Sequence, residues 1–142
     1  MKRRLVLLAA LAAFPVAFSA CGETVDVPGA SASTEHGAQL FAARCSGCHT
    51  FDSAGAQGSA TKVSDRERVD GPNFNVRKSC YEDALYAIQN GGYSGAIMPA
   101  NIVVGEDAKD VARFIAEYSG KQAEEIASPS GPAVVCKPPP AG

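Results

Sequence analysis

The residues with the clearest chemistry in this chain are Cys45-Ser46-Gly47-Cys48-His49. Two thiols separated by two residues and followed at once by an imidazole form the pattern that attaches a c-type haem. The order matters. The two thiols add across the two vinyl groups of one macrocycle and hold it covalently, and the adjacent imidazole then lies under the iron as its proximal ligand. The pattern is short, so this reading also requires an export signal, a sixth ligand and a small helical fold around it. Without them, Cys45 and Cys48 would read as a redox dithiol or as two zinc ligands.

A sixth ligand is found by elimination. The chain has two methionines, and Met1 belongs to the leader, which leaves Met98 alone in the mature protein. It stands in Asn90-Gly91-Gly92-Tyr93-Ser94-Gly95-Ala96-Ile97-Met98-Pro99, a glycine-rich loop expected between two helices. A thioether is a soft ligand that raises the potential of haem iron relative to two imidazoles. A lone methionine is ordinarily core packing; the haem motif and the Met-Pro context favour ligation here. The other histidine, His36, lies nine residues before Cys45 at the start of the same helix. That helix keeps it from the opposite face, so it reads as a surface or capping-region residue.

The elements that must position these groups lie between residues 35 and 120 of the 142. Residues 1–20 are set aside as a secretory signal, with Lys2, Arg3 and Arg4 ahead of an apolar run from Leu5 to Phe18. Phe18-Ser19-Ala20-Cys21 is similar to a bacterial lipobox, although Leu is usual where Phe18 stands. On that reading Cys21 is the lipid-bearing first residue of the mature chain; the alternatives are a soluble secreted protein or an uncleaved anchor. Residues 21–34 are expected to form the lipidated N-terminus and a flexible tether with a reach of about 20 Å. Residues 121–142 are a Pro-rich tail. The cysteines then account for themselves. Of five, Cys21 takes lipid and Cys45 and Cys48 take haem, leaving Cys80 and Cys136 to pair as a disulfide in an oxidising compartment. Two free thiols are the alternative. Losing Lys2, Arg3 and Arg4 from 13 basic residues leaves 10 against 15 acidic ones, a formal charge of −5. With no basic run, nucleic acid is not an expected partner.

Three helices are expected in the domain. The first starts with Thr34 as N-cap and Glu35 in its first turn, carries Ala38, Phe41 and Ala42 on one face, and runs into Cys45. The second follows a capping box of Ser79 and Glu82, buries Tyr81, Ala84, Leu85 and Ile88, and stops at Gly91. The third covers Glu106 to Tyr118 with a stripe of Ala108, Val111, Ala112, Ile115 and Tyr118. Residues 51–70 read as loop. The fold class is therefore all-α, three main helices around one haem, rich in loop.

Taken together these residues resemble the class I c-type cytochromes, the small monohaem electron carriers. The resemblance rests on Gly37-x-x-Leu40-Phe41, the Cys45-Cys48-His49 motif, Gly71-Pro72-Asn73, Met98-Pro99 and the last helix with Val111 and Phe114. It implies that the first and last helices cross closely at Gly37, with Phe41 near Val111 and Phe114. It also implies that the Pro72 carbonyl accepts a hydrogen bond from His49 Nδ1. Cys80, the tail with Cys136 and the long 51–70 loop depart from the common pattern. Tyr81, Tyr86 and Tyr93 are open between lining the haem and ordinary packing. The function implied is single-electron transfer with no catalytic residue, to partners such as a quinol-oxidising complex, a terminal oxidase or a periplasmic dehydrogenase. A lipid anchor would hold the protein at the outer face of the cytoplasmic membrane or elsewhere in the periplasm. The competing readings are a haem enzyme or gas-sensing domain with a labile sixth ligand, and a subunit of a larger respiratory complex.

Overall fold

In the computed structural model, residues 24–60, 63–65, 67–93, 97–122 and 134–140 are described. Three helices dominate: α1 (Ala32–Arg44), α2 (Tyr81–Asn90) and α3 (Gly105–Tyr118). Among the described residues no helix is long and apolar enough to cross a membrane.

The caps differ from the sequence expectation, and each difference has a tertiary cause. Ser31, not Thr34, caps α1: its backbone is extended and its Oγ accepts from the Thr34 amide. Both residue types cap well, but Thr34 is buried, and its Oγ1 donates to Glu117 Oε2 of α3 at 3.0 Å. Ser79 and Glu82 form no capping box. Cys80 occupies the N-cap of α2 without a side-chain bond, and Ser79 instead donates its amide to Ser119 Oγ at 3.0 Å. Helix α2 does end at Gly91, in the left-handed conformation with φ 79°. Helix α3 begins one residue before Glu106 and ends at Tyr118.

Helices α1 and α3 cross at Gly37, where a Cβ would fall on the Asp110 carbonyl oxygen of α3. The absence of a side chain is what lets the two backbones touch. Below the crossing, Phe41 meets Phe114 edge-on at 5.7 Å between centroids, and Phe51 lies 4.7 Å from Phe114. Phe41, Phe51, Phe114, Ile88 and Val111 are all fully buried.

The 51–70 segment is not all loop. Strands β1 (Thr50–Phe51) and β2 (Ala56–Gln57) pair antiparallel in the register Thr50↔Gln57 and Phe51↔Ala56, joined by a 3-10 turn over Asp52–Ala54. Two-residue strands are too short to print an alternating pattern in a sequence.

The expected tether also needs correction. Residues 21–23 lie outside the described set, but 24–30 are folded onto the domain. The Asp26 amide donates to Ser53 O at 2.9 Å, Tyr118 Oη donates to Pro28 O at 3.1 Å, and Val25 and Val27 are half-buried against the core. At the other end, residues 134–140 form no regular element. Cys136 is bonded to Cys80 with Cα atoms 5.2 Å apart, and Arg113 Nε donates to Pro140 O at 3.2 Å.

Candidate haem site

Helix α1 delivers the motif. The Cys45 amide closes the last turn on Phe41 O at 2.8 Å, and the amides of Cys48 and His49 both donate to Cys45 O at 3.1 Å. Ser46 Oγ donates to Ala42 O at 2.6 Å and fastens the turn to the helix. Cys45 is buried and Cys48 is exposed, both as free thiols. Burial, then the neighbouring Cys48, pushes the Cys45 thiol up to about 12.

His49 is only 8% exposed. Its Nδ1 is 3.1 Å from the Pro72 carbonyl. A carbonyl can only accept, so Nδ1 carries the proton and Nε2 keeps its lone pair. That is the arrangement in which an imidazole ligates through Nε2 while its other nitrogen is oriented by a second partner. Burial lowers the pKa of the ring and the Pro72 bond opposes this. The neutral form, which binds metal, is favoured. Phe74 stacks on the ring at 5.1 Å with 20° between planes. The Gly71 amide donates to Cys48 O at 2.7 Å, which brings residue 71 so close that a Cβ there would fall into the imidazole.

Phe74 is the positioning residue that the sequence does not reveal. It reaches His49 because Thr50 and Asn73 form a parallel bridge and the Phe74 amide donates to Thr50 O at 2.9 Å. Nothing in the spacing of residues 49 and 74 signals this.

Met98 lies on the loop between α2 and α3, half-buried against the core. Its carbonyl sits beside Gly91, and the Asn101 amide donates to Ile88 O at 2.8 Å, folding the loop back onto the end of α2. Residues 94–96 of this loop lie outside the described set. His36 is bound elsewhere: its Nδ1 is 2.9 Å from Asp110 Oδ2 and its Nε2 4.0 Å from Asp107 Oδ1, both on α3. Of the tyrosines, Tyr81 is core, while Tyr86 and Tyr93 are exposed and stack on each other at 5.3 Å. Cys21 lies outside the described residues.

These groups fit a covalently held haem. Two free thiols and a ligating Nε2 leave one turn. Among the described residues no three His, Cys, Asp or Glu side chains converge to hold a metal ion. Cys45, Cys48 and His49 therefore address separate points, as a broad macrocycle needs and a single zinc ion does not.

Three helices packed around a thiol–thiol–imidazole turn define a small all-α haem-binding domain. The cytochrome c family model matches residues 34–119, more than half of the chain. The chain belongs to the cytochrome c family, haem proteins that transfer electrons. It is similar to the c-type cytochrome SorU from Sinorhizobium meliloti, with 31% identity over 63% of this chain and 93% of that one and a TM-score of 0.49. No curated protein matches it.

Proposed function

We propose that this protein is a monohaem electron carrier of the class I type, held outside the cytoplasmic membrane by lipid on Cys21. The observation that carries the haem assignment is the His49 Nδ1 contact to Pro72 O, which leaves Nε2 to ligate. Cys45 and Cys48 would hold the macrocycle, and His49 and Met98 would ligate its iron. Bound there, haem would supply an iron that gains and loses a single electron. With His49 and Met98 both ligating, the iron would have no open position for a substrate, which favours a carrier over an enzyme. The domain spans 35–120, and the donor and acceptor are extracytoplasmic or membrane-bound redox proteins: a quinol-oxidising complex, a terminal oxidase or a periplasmic dehydrogenase.

Visible spectra of the oxidised and reduced holoprotein test this. Sharp reduced c-type bands with a weak far-red methionine–iron band in the oxidised form are expected. Met98→His should retain the haem and lower the potential substantially; an unchanged potential would remove Met98 from the iron. Ready binding of carbon monoxide by the reduced wild type would replace the carrier with a sensor or enzyme. The anchor is tested separately, by the mass of the N-terminal peptide and by release of a Cys21→Ala variant from membranes.

A further inference from the structure

A lipid anchor is usually pictured at the end of a loose leash, but residues 24–30 are not leash. The Asp26 amide is bonded to Ser53 O, the Pro28 carbonyl accepts from Tyr118 Oη, and Val25 and Val27 pack on the core. These contacts lie at the C-terminal end of α3, where the Lys121 ammonium sits 3.9 Å over the Tyr118 ring. Only residues 22–24 separate Cys21 from Val25. Four Cα steps at full extension span about 14 Å at most. The headgroup layer takes up roughly 5–7 Å of that span. A domain of this size has a radius of gyration of about 13 Å. The remaining leash is shorter than the domain's own radius, so the domain can rock but cannot present its far side to the lipid.

We propose that the lipid on Cys21 holds this domain against the phospholipid surface by one fixed face, where residues 24–30 lie on Ser53 and Tyr118. The inference rests on the lipidated reading above. The face carries both signs, with the Lys121 ammonium and the Asp26 carboxylate both near Tyr118, so the short covalent span imposes the contact and attraction to anionic lipid is not needed. Redox partners are then met on the remaining faces. One of these carries the N-terminal end of α3 at Glu106, about 18 Å along the helix from Tyr118 at 1.5 Å per residue.

The test uses haem-loaded, lipidated protein in phosphatidylcholine vesicles. A nitroxide is attached through Lys121→Cys or, separately, Glu106→Cys, both exposed positions. The native cysteines are occupied by lipid, haem and the disulfide, so the new thiol is unique. With the iron kept reduced, relaxation of the nitroxide is compared with and without nickel-chelating lipid headgroups. The enhancement should be several-fold larger at 121 than at 106. A Gly/Ser insert of about 12 residues between Gly22 and Glu23, adding about 20 Å of flexible reach, should bring the two sites level. Equal enhancement at the native length, in protein whose mass shows the lipid, overturns the fixed face and leaves the anchor standing. An unmodified Cys21 in soluble protein overturns the anchor, and the fixed face with it.

Discussion

At the scale of single residues, the site is organised around how His49 is held. Its ring is stacked by Phe74, pressed by the Gly71 backbone and aimed by the Pro72 carbonyl. Gly71→Ala places a methyl inside the imidazole, so the ring must rotate and give up Pro72. Overpacking of this kind costs about 1–3 kcal/mol, and the lost hydrogen bond adds about 1 kcal/mol. The variant is expected to unfold at lower temperature and, with His49 ligating as proposed, to show a shifted reduction potential, because the ring loses the partner that sets its orientation and basicity. A thermal melt and a redox titration check this; native values for both would show that the ring has room the structure does not give it. The thiols and His49 were legible in the sequence because covalent haem chemistry is local, three groups within five residues. Met98 was singled out only by counting, and its place on the iron is part of the proposal. Phe74 was not legible at all, because a strand bridge between Thr50 and Asn73 brings it to the ring.

At the scale of elements, the crossing of α1 and α3 decides the architecture. Gly37→Ala would gain about 1 kcal/mol of helix propensity in isolation. Here the added Cβ meets the Asp110 carbonyl, a rigid backbone group, so the helices must separate and the packing of Phe41 on Phe114 loosens. The clash wins, and a net loss of about 1–3 kcal/mol is expected in denaturant titration. On the exposed side of the crossing, His36 faces Asp110 and Asp107 of α3, and Asp110 is also paired with Arg113 at 2.7 Å. The Asp110 hydrogen bond first, opposed by desolvation, then the two aspartate charges, hold the His36 pKa above its usual 6.5. A folded-state pKa that is raised stabilises fully below the unfolded value and is lost as pH rises through the folded one. Stability should therefore show a step downward as pH rises from about 6.5 through that raised pKa, and His36→Gln should flatten it. Parallel pH profiles for the two proteins would mean that the pair contributes nothing. The same crossing explains what the sequence could and could not show of the elements. The helices follow from periodicity, because their buried stripes are regular. The caps do not: Thr34 was needed by Glu117 and Ser79 by Ser119, so Ser31 and Cys80 took the cap positions.

At the scale of the whole molecule, both ends of the described chain are fastened to a thin core. Ala38, Ala54, Ala56, Ala84, Ala108, Ala112 and Ala116 make up much of the buried apolar set, so the helices approach closely while burying little area per residue. A domain this small buries only about 60% of the surface its unfolded chain exposes. The Cys80–Cys136 disulfide, closing a sequence separation of 56, offsets part of the shortfall. By chain entropy it is worth about 4 kcal/mol, and a Cys80→Ser/Cys136→Ser variant should lose close to that in denaturant titration and free Pro140 from Arg113. On the proposed reading haem attachment would offset a further part, because a macrocycle held by Cys45 and Cys48 would add apolar area that the alanines do not. The two contributions draw on one narrow margin, so their loss should compound in yield. Cys45→Ala/Cys48→Ala should accumulate poorly with the disulfide intact, and adding Cys80→Ser/Cys136→Ser should leave almost no folded protein. Yield and helical circular dichroism of the purified variants decide it. Normal amounts of well-folded protein lacking both haem and disulfide would mean that the aromatic cluster of Phe41, Phe51, Phe74 and Phe114 is sufficient by itself.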